Sequence, residues 1–592
     1  VDVSIKIFSH CVDYTYTLAA GAPVAPLLKQ AGLLDFPCGG IGKCGKCLIY
    51  ANTVPCAEEV EKLGTAAIQS GLRLACYTHA AQDLEITIPD KAALCVLSSF
   101  THQQYDFAPV IDKTPFALST PAGGGVHTDV QRLLSATGAR RHAMNLCQLA
   151  GLPAFLHSLE PERATGYALT DGETVVGYSP QADHTALVVD IGTTTVAAIL
   201  VNLRTQRILG TRGAHNAQFP YGADVISRIN QTMDIGVEPL RKAILSQLEC
   251  MRRELLIDAG LDDVSVISLA GNTTMMHLLC GLPPEDIGKA PFRPVTTEEM
   301  HLGARELGLD SDAPVRMLPS ISSYIGADIV ASLLACGAHD AQKPFLLIDF
   351  GTNAETVLFA NNTFYCCSAA AGPCFEGASL SCGMAGQPGA IDTVECGPQG
   401  LSYTVIENIK TRGLCGSGVL DALAVLLDSG AVDETGRLDT AHTGALRNHL
   451  DAEKGFVFTP SVYLTQADIR EIQLAKGAIR TGAQVLCDEA GITHEDIDTL
   501  YLAGGFGSAM RAESAVRIGL IPPQLLHKVD VLGNATSFGA LRYITERDAD
   551  AHIASIMERT KYIELSNCPT FTGHYMENML FPAEAAHSAC PN

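Results

Sequence analysis

A chain of 592 residues is too long for one hydrophobic core and predicts about three or four domains. Apolar residues at 47% and charged ones at 18% mark a globular composition, and a formal charge of −24 repels phosphate backbones, which argues against nucleic acid as a partner. No apolar run reaches the ~18 residues of a membrane span and the N-terminus alternates instead of forming a signal-peptide core, so no membrane partner and a reducing, cytoplasmic location are expected, with twenty cysteines held as thiols or metal ligands. In chain order, "VDVSIKIF" and "VDYTYTL" alternate with period two and predict a hairpin, and "GAPVAPLLKQAGL" predicts a short helix. After a cysteine-rich loop come a strand in "CLIYANTV", a polar helical stretch, then "LRLACYTHA" and a closing strand in "DLEITIP".

The loop between the first helix and the next strand reads "FPCGGIGKCGKC". Cys38, Cys44 and Cys47 follow C-x5-C-x2-C, and Cys76 stands 29 positions beyond Cys47. Four thiolates, three from one loop and one from a distant strand end, can ligate the two irons of a 2Fe–2S cluster. Gly39, Gly40, Gly42 and Gly45 let such a loop take up positive φ and aim amide groups at sulfide. Zinc is the rival reading, because C-x2-C is also a zinc half-site, but Cys76 has no partner two to four residues away. Inert core thiols are the third. On these residues the segment 1–90 resembles a plant- or adrenodoxin-type ferredoxin of β-grasp order, the five-residue first gap being the adrenodoxin variant. The resemblance implies one-electron transfer at low potential, near about −400 mV for plant-type clusters. Cys56 lies outside the pattern and is expected to be a small buried residue.

Residues 91–126 are rich in proline, glycine and polar residues with little periodicity and predict a linker, either a mobile tether or an ordered arm. Residues 127–183 predict a small α+β middle region, with helices in "HTDVQRLLSATG" and "RRHAMNLCQLAG" and a hairpin across "GYALTDGETVVGYSP". No chemistry is legible there.

"ALVVDIGTTTVAAILVNL" (186–203) and "FLLIDFGTNAETVLFANN" (345–362) repeat one pattern, an apolar strand, D-x-G-T and a second strand, 159 residues apart. At such a turn glycine brings the backbone close to a phosphate, threonine supplies hydroxyl and amide donors, and aspartate holds Mg2+, usually through water. Further on, "YLAGGFGSA" (501–509) is an apolar strand running into glycines that let backbone lie against an adenosine. Two small-residue helices, "YIGADIVASLLACG" (324–337) and "NATSFGALRYI" (534–544), complete the set. Two phosphate turns, two connecting helices and an adenosine turn resemble the actin, Hsp70 and sugar-kinase superfamily of ATPases. The resemblance implies that residues 184–592 form two ribonuclease-H-like halves closing over ATP and Mg2+. It assigns Asp190, Gly192, Thr193, Thr194 and Thr195 to the first phosphate loop, and Asp349, Gly351, Thr352 and Asn353 to the second. Asp190 and Asp349 would hold the metal and Glu355 is a candidate for orienting water; Gly504, Gly505, Phe506 and Gly507 would form the adenosine turn. Gly416, in "CGSG", either touches nucleotide or caps the helix that follows.

The expected fold class is therefore multidomain α/β. Over nearly its whole length the chain is similar to the reductive activators of corrinoid proteins, on "LAGNTTMMHLLCGLPPEDIGKAPFRP" (269–294), "AGPCFEGASLSCGM" (371–384), "LCGSGVLDALAVLLDSG" (414–430) and "YLTQADIREIQLAKGAIRTGAQVL" (463–486). That family implies ATP-dependent return of Co(II) corrinoid to Co(I) by one electron from the 2Fe–2S cluster. It further implies a corrinoid protein of a methyltransferase system as partner, an upstream low-potential electron donor, and a homodimer. Only Cys568 and Cys590 lie in the tail, too few for the C-terminal four-iron cluster of a related branch. The rivals are a small-molecule kinase with a regulatory ferredoxin domain and a redox-sensing, nucleotide-dependent binding protein. Cys366, Cys367, Cys374, Cys382, Cys396 and Cys415 crowd one span without C-x2-C spacing and are expected to be buried thiols, and His277 a satisfied core or surface histidine. Ser379 and Ser381 either face the partner or cap backbone.

Overall fold

The computed structural model describes residues 2–9, 12–30, 34, 47–63, 68, 71–88, 105–118, 127–159, 165–397 and 400–583. The alternating N-terminal segments form β1 (Asp2–Ser9) and β2 (Val12–Ala19), paired antiparallel, followed by the helix Ala25–Gln30. β3 (Leu48–Ala51), β4 (Leu72–Leu74) and β5 (Leu84–Thr87) complete a mixed sheet of order β2-β1-β5-β3-β4, in which only β1 and β5 run parallel. Period-two alternation puts Val3, Ile5 and Ile7 on one face, where they meet Leu28, Ile49, Leu74 and Ile86 in a small core. β2 lies against the helix Glu238–Ala259 of the following region.

In the stretch expected as a linker, residues 105–118 form an ordered arm. Ala108 and Val110 donate backbone hydrogen bonds to Thr545 and Ile544, Arg547 donates back to Asp106, and Tyr105 packs on the Arg542 guanidinium. The arm continues as β6 (Asp112–Phe116), which joins β7 (Arg141–His142), β8 (Gly166–Asp171) and β9 (Thr174–Ser179) in a sheet of order β6-β8-β9-β7. Periodicity was too weak to show this pairing, because the strand carries a proline and its partner lies some fifty residues on. The two expected helices, Asp129–Thr137 and Leu146–Ser158, both start at capping boxes, Thr128 with Gln131 and Asn145 with Gln148, and close over Phe116, Leu133 and Leu156.

Two larger sheets carry the rest. β10 (Thr185–Ile191), β11 (Thr195–Asn202), β12 (Arg207–His215), β13 (Val266–Gly271), β14 (Met300–Gly303) and β15 (Pro314–Met317) have order β12-β11-β10-β13-β15-β14. β16 (Phe345–Phe350), β17 (Ala354–Ala360) and β18 (Thr363–Ala369) open the second sheet. After smaller strands β19 (Ala390–Gly397), β20 (Gly400–Val405), β21 (Gly413–Leu414), β22 (Leu450–Asp451), β23 (Gly455–Thr459) and β24 (Val462–Leu464), it is completed by β25 (Thr499–Ala503), β26 (Val529–Gly533) and β27 (Thr560–Tyr562), in the order β26-β25-β16-β17-β18-β27.

The two sheets share a plan: three consecutive antiparallel strands, with the first of them also flanked by a parallel strand and then a second. Strands covered on both faces read as continuous apolar runs, as "TALVVDI" and "FLLIDF" do. The helices Glu238–Ala259 and Thr273–Cys280 cover one face of the first sheet; Gly416–Asp428 and Gln466–Ala490 cover one face of the second. Between the sheets lies the helix Ala327–Ala335, giving Val330 and Leu334 to the first and Ile329 and Leu333 to the second. It crosses the helix Ala535–Thr545 so closely that a Cβ at Gly539 would come within 1.8 Å of the Ala331 carbonyl oxygen. Small residues at this crossing let the two sheets approach, and the turns that follow β10 and β16 meet through Thr194 and Thr352.

Candidate active site

Asp190 is the next-to-last residue of β10, opposite Ala197, and Asp349 the next-to-last of β16, opposite Glu355, so equivalent strands deliver equivalent carboxylates. The first turn is pinned from behind. The Gly192 N–H donates to the Thr195 carbonyl (2.9 Å), the Asn216 amide to the Gly192 carbonyl (2.8 Å), and the Arg228 guanidinium to the Thr193 carbonyl (2.6 Å). Asn272, which caps the helix Thr273–Cys280, donates to the Thr193 hydroxyl at 2.9 Å. In the second turn the Gly351 N–H donates to the Asn353 carbonyl at 2.9 Å. Thr194 and Thr352, one from each turn, face each other with hydroxyls 3.4 Å apart, and both donate to Oε2 of Glu376, at 3.4 and 3.0 Å.

Asp328, in the first turn of the helix Ala327–Ala335, joins Asp190, Asp349 and Glu355 in one group of carboxylates. Burial, reinforced by Asp328, pushes the Asp349 carboxyl up to about 7 from 3.8, and burial pushes Asp328 up to about 6. Burial and then its acidic neighbours Asp328 and Asp349 also raise Asp190 and Glu355, the latter against a hydrogen bond from Ser368. A set of enclosed, mutually repelling carboxylates suits a hard divalent cation such as Mg2+, whose charge would offset both effects.

The sign of these shifts gives a test. Raised carboxyl values mean that the folded protein holds protons the unfolded chain has lost, so these groups withdraw stability as pH rises through roughly 4 to 7. Mg2+ competes with those protons and should cancel the loss. The thermal midpoint is expected to fall more between pH 5 and pH 8 in chelator than in excess Mg2+; equal slopes would contradict a cation at this cluster.

On the second half, Gly504 (φ +82°) begins the glycine turn; a Cβ there would lie 2.5 Å from the Phe350 carbonyl oxygen and 2.8 Å from Asp349 Oδ1. The turn therefore rests directly on the second D-x-G-T turn. A Cβ at Gly505 would meet nothing within 4 Å. Phe506 faces inward, stacked on Phe375 (centroids 4.7 Å, 13°) and edge-on to Phe350, and Gly507 packs against the Phe350 ring. Gly416 lies beneath: a Cβ there would meet the Phe375 carbonyl oxygen at 2.0 Å and the Phe506 ring at 2.7 Å. Close packing under the turn accounts for both Phe506 and Gly416.

Asp328, Glu376, Arg228 and Asn272 stand at this site without a sequence motif of their own that marks them. Asp328 and Glu376 stand inside segments read for other features, "YIGADIV" for its small residues and "AGPCFEG" for its resemblance. An acid opening an apolar helix was the available signal for Asp328. Ser379 takes φ +59°, and the Ser381 N–H donates to Asp468 at 2.7 Å.

At the N-terminal sheet, β3 and β4 pair Leu48 with Leu74, and the Ala75 N–H donates to the Cys47 carbonyl at 2.8 Å. Cys76 thus follows directly on the residue bonded to Cys47, and two of the four expected cluster ligands come from adjoining strand ends. Cys38 and Cys44 lie outside the described residues.

Of the other cysteines, Cys366, Cys367, Cys374, Cys382 and Cys415 are buried thiols, while Cys56 and Cys396 are half-buried. His277 is a satisfied core histidine, bonded to the Thr273 carbonyl and the Val295 N–H. Among the described residues His339, Glu546 and His552 also approach one another. Their imidazoles stack in parallel (3.8 Å, 9°), and Arg542 donates to both oxygens of the Glu546 carboxylate.

Two family models match the chain: the "RACo middle region" over residues 185–341 and the "C-terminal domain of RACo the ASKHA domain" over residues 343–590. A "Corrinoid activation enzyme RamQ" of Eubacterium limosum is 28% identical over 94% of this chain and 96% of its own length. A "[Co(II) methylated amine-specific corrinoid protein] reductase" of Methanosarcina barkeri is 25% identical over 66% of this chain and 76% of its own. Among solved structures, a "Reductive activator for corrinoid,iron-sulfur protein" superposes with a TM-score of 0.72 at 28% identity, covering 98% of each chain.

Proposed function

The chain belongs to the family of reductive activators of corrinoid proteins, and from that membership we propose that it uses ATP to drive one electron into a corrinoid protein, returning inactive Co(II) to the Co(I) that accepts methyl groups. One observation carries the nucleotide part of the reading: Asp190 and Asp349 hold equivalent places near the ends of equivalent strands of two like-ordered sheets, with the threonines of the following turns face to face. On this reading the two sheets are the ribonuclease-H-like halves of an ATPase.

In the proposed mechanism Thr193, Thr194, Thr195, Thr352 and Asn353 bind the phosphates, with Gly192 and Gly351 allowing close backbone approach. Asp190 and Asp349, with Asp328, would hold Mg2+, which would supply positive charge against the phosphates. Glu355 orients the attacking water, and Gly504 and Gly505 support the adenosine. Cys38, Cys44, Cys47 and Cys76 would hold a 2Fe–2S cluster, which would supply one-electron transfer. ATP can shift an equilibrium between two conformations of the protein only by binding them unequally. The need for ATP follows from potential: each tenfold disadvantage in a one-electron step is about 59 mV, so a deficit of a few hundred millivolts requires coupling. An upstream low-potential donor, a homodimer and a cytoplasmic setting belong to the same proposal. Among the described residues no helix is long and apolar enough to cross a membrane.

Phosphate release tests the class of reaction. With a cognate Co(II) corrinoid protein, the ATPase rate should rise and all of the phosphate should pass to water; a phosphorylated small molecule would point to a kinase, and nucleotide-dependent binding without electron delivery to a redox sensor.

A further inference from the structure

Glu376 ends the short helical turn Pro373–Glu376, and a single oxygen of its carboxylate accepts hydrogen bonds from Thr352 (3.0 Å) and Thr194 (3.4 Å). One acid of the second half thus ties together the hydroxyls of both phosphate turns. It is held in place on each side. Phe375 before it stacks on Phe506 of the glycine turn, and Gly377 after it (φ +81°) leaves so little room that a Cβ would lie 2.0 Å from the Met384 carbonyl oxygen.

We propose that Glu376 is a specificity-determining residue that stands in for the terminal phosphate: its carboxylate occupies Thr194 and Thr352 until a nucleoside triphosphate, and not a diphosphate, displaces it. This rests on the nucleotide reading above. Each threonine hydroxyl has one hydrogen to donate, so neither can serve the carboxylate and a phosphate oxygen together. Two anions sharing that donor pair also repel, by an amount that grows as water leaves the cleft. A diphosphate does not reach the tie, whereas a triphosphate breaks the link between the halves and presses on Phe375 and the 377–384 loop. Nucleotide identity becomes a movement in a segment that also touches the glycine turn.

The test is equilibrium binding of Mg-ADP and a non-hydrolysable Mg-ATP analogue to the full-length protein and its Glu376→Gln variant. Glutamine removes the charge and offers the phosphate a donor. The variant is expected to bind the triphosphate about tenfold tighter, equivalent to about 1.4 kcal/mol, with diphosphate affinity within about twofold of the parent. Equal tightening of both nucleotides, no tightening, or weaker triphosphate binding would overturn the proposal. If the parent protein bound neither nucleotide, the nucleotide reading would fail with it. A second measurement needs no variant: amide exchange across residues 373–384 of the parent should rise with the triphosphate analogue and not with ADP, and equal exchange would contradict the displacement.

Discussion

Asp190→Ala is expected to lower ATP turnover by about 100-fold or more while leaving the visible absorbance of the iron–sulfur centre unchanged. Asp190 stands at the meeting point of β10 and the first D-x-G-T turn, in the repelling group formed with Asp328, Asp349 and Glu355. On the proposed reading, removing it takes away one of the oxygens that would hold Mg2+, and Asp349 cannot replace it from the other sheet. Alanine also relieves repulsion, so the metal-free variant should be no less stable than the parent, and its thermal midpoint in chelator should be equal or higher. Steady-state phosphate release, the midpoint and the absorbance spectrum together check this. Loss of both turnover and absorbance would contradict separate sites for nucleotide and iron.

The second large effect is expected from Cys47→Ala. Cys47 is 1% exposed and its carbonyl is bonded into the β3–β4 end beside Cys76, so the side chain belongs to a fixed strand terminus. The substitution should abolish the cluster absorbance after reconstitution and reduce corrinoid activation to background. Equilibrium binding of Mg-ATP should stay within about twofold of the parent, because additivity holds between sites that share no partners. Activation that persists in the cluster-free variant would contradict the electron route.

Local chemistry made much of this legible in the sequence. β1 and β2 show their pairing because period-two alternation is a property of the strand alone. The D-x-G-T turns show themselves twice, since the glycine, the acid and the flanking apolar strands are contiguous. Contacts made across the cleft left no such mark. Glu376 meets Thr194 over 182 positions, and nothing near either residue records that they are neighbours. Asp328 acts through the placement of its helix between two sheets, which depends on the crossing at Ala331 and Gly539 and not on its own flanks. For Phe506 the glycine-rich pattern suggested a face toward nucleotide, whereas the ring is taken up by Phe375 and Phe350. The arm 105–118 was ambiguous because edge pairing with a remote strand end needs no periodicity of its own.

One anaerobic measurement bears most directly on the coupling of ATP to electron delivery. The cobalt spectrum of a cognate corrinoid protein is followed with the reconstituted protein and a low-potential reductant, before and after addition of Mg-ATP. The account predicts that Co(I) accumulates only once ATP is present and that the same addition has no effect with Cys47→Ala. Co(I) formed at the same rate without nucleotide would contradict it.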